Sequence, residues 1–110
     1  MTILGTGIDI VDIARIRDAR FRDRVAEYIL TETELHDMNT SRDAVQYLAS
    51  RFAAKEAVIK ASPTSLSYRD IVIAKNGNVP VAKTDQDIRY FLSLSHTPTH
   101  AVANAIATTP

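Results

Sequence analysis

Hydrophobic residues in the middle of the chain recur at intervals of three and four, which is the spacing of one face of an α-helix. That face holds Val45, Leu48, Ala49, Phe52, Ala53 and Ile59. Ser41 or Asn39 can cap the start of this helix. Pro63 ends it, because the residue before a proline avoids the helical region, so the last boundary falls at Ser62. The pattern predicts one long helix.

The chain before this helix is predicted to hold a strand and short helices. A β-branched, strand-like run covers residues 2–11, and helical patterns follow at residues 12–19 and 22–28. Thr31 and Glu34 have the spacing of a capping box, in which each residue satisfies a backbone N–H of the other. A further short helix should therefore begin there.

The chain after the long helix changes to the alternation typical of strands. The turn Asn76-Gly77-Asn78 lies between two alternating segments, which predicts a hairpin, and Pro80 favours an edge position for the second strand. Two more strands are predicted at residues 91–95 and 101–106. This order predicts an α+β fold, a largely antiparallel sheet packed on the long helix, in one domain covering residues 1–110.

Two carboxylates interrupt these apolar patterns. Glu56 lies on the apolar face of the helix, between Phe52 and Ile59, and Asp9 interrupts the first strand. A buried carboxylate without a partner is costly, so both need a cation or a ligand. Lys60 could form an ordinary i,i+4 pair with Glu56. Alternatively, the two carboxylates converge as oxygen ligands of Mg²⁺.

Composition excludes several kinds of chemistry. The chain has no cysteine, which rules out disulfides, thiolate metal sites and a cysteine nucleophile. No segment approaches the roughly 20 apolar residues of a membrane span. No signal-peptide pattern is present either, so we expect a cytoplasmic protein with no membrane partner.

Positive charge is concentrated at residues 15–24, where five arginines face two aspartates, although the whole chain has a net charge of zero. The simplest interpretation is a solvated helix face with salt bridges. Nucleic-acid binding lacks companion aromatic residues or a second basic stripe. The remaining interpretation is an acidic protein partner.

Three motifs follow one another along the chain: G-I-D-I-V-D-I-A-R-I from Gly7, R-F-A-A-K-E-A-V-I-K-A from Arg51, and S-L-S-H-T from Ser93. Together they resemble the holo-acyl-carrier-protein synthase family of small phosphopantetheinyl transferases. The resemblance implies transfer of 4'-phosphopantetheine from coenzyme A to a serine of an apo acyl carrier protein or carrier domain, with Mg²⁺ as cofactor and 3',5'-ADP as the product released. It also implies the phosphopantetheinyl transferase-like fold and a homotrimer.

The resemblance and the chemistry of the side chains assign roles to single residues. Asp9 and Glu56 would hold Mg²⁺, and Glu56 would accept the serine proton directly or through a water. Lys60 would neutralise the leaving phosphate, and Arg51 would bind another phosphate of coenzyme A.

The third motif and the arginine-rich helix complete the expected site. By resemblance, Ser95, His96 and Thr97 would bind the nucleotide of coenzyme A, whereas a lone histidine at a strand end is more often an ordinary half-exposed residue. Arg15 and Arg22 would bind the carrier protein.

Some positions depart from the family pattern. Ser50 stands where glycine is usual, Tyr28 where arginine is frequent, and residues 61–66 lack the usual glycines after the long helix. The segment at residues 80–93 is also shorter than is usual in the family, so a helix there should be missing or reduced. These departures keep open an alternative function, a catalytically idle homologue that binds carrier proteins.

Overall fold

The long helix is the centre of the fold, and it lies across one face of an antiparallel sheet. The structure is a computed structural model that describes all 110 residues. The sheet has five strands in the spatial order β1-β5-β4-β3-β2. The strands are β1 Ile3–Asp12, β2 Val72–Asn76, β3 Val79–Lys83, β4 Arg89–His96 and β5 His100–Thr108. All neighbouring strands run antiparallel, so the α+β prediction is confirmed.

Four α-helices and one 3-10 turn connect the first two strands. They are α1 Ile13–Arg17, α2 Ala19–Ile29, α3 Glu32–Thr40, α4 Ala44–Ala61 and the 3-10 turn Tyr68–Asp70. The predicted break between the first two helices was misplaced. It falls at Asp18, which has extended dihedral angles and whose side chain accepts a hydrogen bond from the N–H of Phe21 at 3.0 Å.

The helix ends agree with two of the capping predictions and correct a third. The capping box of Thr31 and Glu34 is present, and Ser62 caps the end of α4, as predicted. The predicted start of α4 was wrong: its cap is Asp43, whose side chain accepts from the N–H of Gln46 at 3.0 Å. Ser41 instead caps the end of α3.

The hairpin forms as predicted, with Gly77 at a φ of 64° in its turn. Its second strand, β3, lies between β2 and β4, so the predicted edge position is wrong. Pro80 is tolerated because β3 pairs with β4 only through Val81 and Phe91, which leaves most of β3 without a second partner. Residues 84–88 form no helix, as the short segment predicted.

Helix α4 approaches β1 so closely that no side chain fits between them. A Cβ atom on Gly7 would lie 2.0 Å from the carbonyl oxygen of Ala57, and one on Gly5 would lie 2.3 Å from that of Ala61. The neighbouring strand β5 presents only alanine methyl groups to the helix. These fully buried residues are Ala101, Ala103, Ala105 and Ala107. We call this contact between α4, β1 and β5 the small-residue seam.

A buried ion pair joins the helices to β2, an edge strand of the sheet. Lys55 is fully buried, and its Nζ donates to Glu34 Oε1 at 2.6 Å, to the carbonyl of Ile29 at 2.6 Å and to that of Tyr68 at 3.1 Å. Burial lowers the pKa of Lys55, and the Glu34 carboxylate offsets part of that effect.

Glu34 is equally well satisfied. Its carboxylate accepts from the backbone N–H of Thr31 at 3.0 Å and from that of Ile73 at 3.0 Å. The pair therefore connects the end of α2, the start of α3, α4, the 3-10 turn and β2. Sequence analysis did not assign Lys55, although its place three residues after Phe52 puts it on the apolar helix face.

The sheet face that points away from α4 carries exposed apolar side chains. We call it the outer face, and its exposed members include Ile8, Ile10, Val79 and Phe91. No helix of the chain is long and apolar enough to cross a bilayer.

We predict that Gly7→Ala lowers the free energy of unfolding by about 2 kcal/mol or more, because the new methyl group overlaps the backbone of α4. Urea unfolding measures this, with Thr6→Ala at an exposed position of the same strand as the control. Equal stability of the two variants would show that the seam is not closely packed.

We predict that Lys55→Met lowers the free energy of unfolding by about 3–5 kcal/mol, because it leaves the buried Glu34 carboxylate without its cation. Lys60→Met on the same helix is the control and should cost no more than about 1 kcal/mol, since Lys60 is half exposed. Similar losses in both variants would contradict a special role for the buried pair.

Candidate active site

Asp9 and Glu56 line the same cleft, between β1 and α4, together with Arg15, Phe21 and Phe52. The cleft has a volume of about 240 Å³. Alternation along β1 turns Asp9 towards α4, because its neighbours in the strand point to the outer face. The seam then brings the helix close enough for Glu56 to share the cleft.

Lys60 pairs with Asp9 and does not form the i,i+4 pair with Glu56. Its Nζ lies 3.2 Å from Asp9 Oδ1 and donates to the carbonyl of Ile8 at 3.0 Å. Burial raises the pKa of Asp9, Lys60 lowers it in part, and the charge of Glu56 raises it further. Two carboxylates thus share one region with a single ammonium group beside them.

Glu56 has a partner that sequence analysis missed. The hydroxyl of Tyr68 donates a hydrogen bond to Glu56 Oε1. Burial raises the pKa of Tyr68 above its ordinary value, and the hydrogen bond to Glu56 and the charge of Glu56 add to this. Tyr68 therefore stays protonated and acts as a donor. No spacing rule could reveal it, because a loop of irregular structure separates it from α4.

The donor set of the cleft suits a hard cation. Asp9 and Glu56 supply carboxylate oxygens, and the attraction of Asp9 for Lys60 shows that the cleft accepts positive charge. No cluster of three or more His, Cys, Asp or Glu side chains forms anywhere in the chain. Mg²⁺ fits this pattern, since it is often bound by one or two carboxylates while substrate phosphates and waters complete its shell.

The two arginines expected to bind the carrier lie in different surroundings. Arg15 lines the cleft, and its guanidinium stands 5.1 Å from the centre of the Phe21 ring. Arg22 lies on the surface of α2, where it donates to the carbonyl of Arg17 at 3.4 Å, and it does not line the cleft.

Arg51 and His96 line a second pocket, on the sheet side of the first half of α4. The guanidinium of Arg51 stacks 4.2 Å from the centre of the Tyr47 ring. Its Nε atom is buried and has no hydrogen-bond partner. An arginine held flat in this way keeps its outer nitrogens free to bind an anion.

The S-L-S-H-T motif does not form a single cluster. His96 lines the second pocket, whereas Ser95 pairs with Val102 across the outer face. Thr97 closes the turn before β5, where its Oγ1 accepts from the N–H groups of Thr99 at 3.2 Å and His100 at 3.1 Å. Within one chain, six of the expected site residues therefore form two separate groups, and Arg22, Ser95 and Thr97 lie outside both. The first is Asp9, Glu56, Lys60 and Arg15, and the second is Arg51 and His96.

Comparison with known proteins gives these residues a context. A sequence profile of the 4'-phosphopantetheinyl transferase superfamily matches residues 5–109. The chain belongs to this superfamily.

Relatives in the 4'-phosphopantetheinyl transferase superfamily match the chain over most of its length. The holo-[acyl-carrier-protein] synthase of Oceanobacillus iheyensis is 38% identical, over 97% of this chain and 98% of its own. The holo-(acyl-carrier-protein) synthase of Bacillus anthracis, crystallised with CoA (3',5'-ADP), superposes with a TM-score of 0.89 at 32% identity and full coverage of both chains. The Helicobacter pylori holo-[acyl-carrier-protein] synthase, in complex with coenzyme A, superposes with a TM-score of 0.79 at 30% identity, over 94% and 99% of the two chains.

The loop after α4, residues 61–66, contains none of the glycines that the family resemblance led us to expect there. Here side chains hold the loop. Gln86 Nε2 donates to Thr64 Oγ1 at 2.7 Å and to Ser62 Oγ at 3.2 Å. The hydroxyl of Tyr90 donates to Gln86 Oε1 at 2.5 Å, which fixes the amide. The short segment before β4 therefore orders the loop without the glycines.

Proposed function

We propose that this chain is a holo-[acyl-carrier-protein] synthase, which transfers 4'-phosphopantetheine from coenzyme A to a serine of an apo acyl carrier protein. The observation that carries the proposal is the convergence of Asp9 and Glu56 in one cleft, with Lys60 paired to Asp9 beside them. It occurs in a fold whose relatives of that name include proteins solved with coenzyme A. The expected cytoplasmic location stays a prediction.

Asp9 and Glu56 would hold Mg²⁺ in this reaction. When bound, the ion neutralises charge on the pyrophosphate of coenzyme A. Lys60 stands beside Asp9 and is half exposed, so its ammonium group can turn to a phosphate of the substrate.

Transfer requires in-line attack by the carrier serine on the phosphorus that bears pantetheine. A bond forms from the serine oxygen to that phosphorus, and the bond from phosphorus to the bridging oxygen of 3',5'-ADP breaks. Glu56 is the group in the cleft placed to accept the serine proton, directly or through a water. Lys60 would then offset the charge that develops on the leaving phosphate.

The carrier protein would approach beside Arg15. This residue lies at the rim of the cleft that holds the carboxylates, at the start of the segment in which five arginines face two aspartates. An acidic partner helix complements such a surface. Arg22 would add to the same contact from α2.

A homotrimer would complete the site. Arg51 and His96 lie in a different pocket from Asp9 and Glu56, so one chain does not bring the two groups to one ligand. The apolar outer face offers a surface for a second copy, because exposed apolar patches of this kind mark interaction sites. Arg51 and His96 of one subunit would then bind the nucleotide of a coenzyme A whose pyrophosphate lies at Asp9 and Glu56 of the next.

The glycine-free loop after α4 favours a second candidate, an idle homologue that binds carrier proteins without transfer. Glycine amides can approach a phosphate closely, and this loop has none. The retention of Asp9, Glu56 and Lys60 together argues against it, since binding a carrier protein does not require that set.

Intact mass spectrometry tests the function. We expect an apo carrier protein incubated with this protein, coenzyme A and Mg²⁺ to gain about 340 Da, the mass of one phosphopantetheine, and a chelator to prevent the gain. Asp9→Asn and Glu56→Gln should abolish the gain, whereas the control Asp87→Asn, at an exposed loop position, should not.

Full activity of either carboxylate variant would overturn the metal assignment. No gain with several carriers that still bind would favour the idle homologue.

A further inference from the structure

Tyr68 links the buried ion pair to the carboxylate on which the proposed reaction depends. Two consecutive residues of α4 hold it: Nζ of Lys55 donates to its backbone carbonyl at 3.1 Å, and Oε1 of Glu56 accepts from its hydroxyl. We propose that Tyr68 is a positioning residue that fixes the carboxylate of Glu56 for cation binding and proton transfer. This inference rests on the proposed function.

The backbone of Tyr68 is held in place by two hydrogen bonds to its carbonyl. It begins the 3-10 turn, and its carbonyl accepts from the N–H of Ile71 at 3.2 Å as well as from Lys55. Asp70 closes the turn by accepting from the N–H of Ser67 at 2.9 Å. Because Lys55 is fully buried, this anchor is protected from water.

The ring of Tyr68 is held by two aromatic neighbours. Tyr28 meets it edge to face, with ring centres 5.6 Å apart and an angle of 63°. Phe52, one helical turn before Glu56, meets it with centres 6.3 Å apart and an angle of 62°. Such pairs prefer this geometry, so the ring has a defined orientation. The hydroxyl at its end is therefore held in place.

A fixed hydroxyl constrains a side chain that is otherwise flexible. Glutamate has several rotatable bonds, and Glu56 is only half buried, so packing alone does not select one orientation. The hydrogen bond on Oε1 selects one and leaves Oε2 for a cation or for the serine proton. Groups that orient a metal ligand in this way often change metal affinity or activity by about 10–100-fold when removed.

The test removes only the hydroxyl of Tyr68. In Tyr68→Phe we expect kcat to fall about 10-fold, while the KM values for carrier protein and coenzyme A stay within about twofold. Electron paramagnetic resonance of free Mn²⁺, titrated in the presence of coenzyme A, should show about 10-fold weaker metal binding. Para-aminophenylalanine at position 68 keeps an N–H donor at the end of the ring and should restore much of the loss.

Thr40→Val is the control. It also removes a side-chain hydroxyl donor, which here donates to the carbonyls of His36 at 3.1 Å and Asp37 at 3.3 Å at the end of α3, and Thr40 lines neither pocket. Its kcat and Mn²⁺ affinity should equal those of the wild type. Thermal unfolding of all variants checks that Tyr68→Phe folds normally.

The outcomes separate this inference from the proposed function. If the wild type transfers phosphopantetheine and Tyr68→Phe matches it in kcat and Mn²⁺ affinity, the inference is wrong and the function stands. A loss that para-aminophenylalanine fails to restore, or that Thr40→Val shares, also overturns it. If the wild type transfers to no carrier, the function fails, and Mn²⁺ affinity alone then decides: weaker binding by Tyr68→Phe supports the inference, and equal binding overturns it.

Discussion

The site depends on the close approach of α4 to β1. Gly5 and Gly7 provide no side chain, so the backbone of the helix can lie directly on the strand. Glu56 and Lys60 each precede an alanine of the seam, and Asp9 follows Gly7 by two residues. The same contact that packs the core therefore brings these three side chains together. A larger residue in the seam would move the helix away and separate the carboxylates.

Lys55 and Glu56 show how adjacent residues of one helix can serve different ends. Lys55 is fully buried and pairs with Glu34, and the pair connects four helical segments and a strand, so it contributes to stability. Glu56 is only half buried and lies in the open cleft, where it can bind a ligand. Tyr68 joins the two, because its carbonyl accepts a hydrogen bond from Lys55 and its hydroxyl donates one to Glu56.

The periodicity of each single element was enough to single out Asp9 on β1 and Glu56 on α4. Asp9 and Glu56 interrupt apolar patterns, and both lie in the cleft. Pairing between elements could not be predicted, because partners such as Glu34 and Lys55 are set by packing of distant segments. Sequence analysis assigned Ser95 and His96 to the same nucleotide contact. Alternation in a strand places neighbours on opposite faces, and these two do point apart.

The central claim is that a complete site needs residues from two copies of the chain, and subunit mixing tests it most directly. Asp9→Asn and Arg51→Ala alter different groups, so each variant alone should be inactive. After unfolding and refolding together in equal amounts, random assortment should restore about a quarter of wild-type transfer activity, since one interface in four then carries both intact groups. Activity that stays at the level of the separate variants would contradict a site shared between subunits.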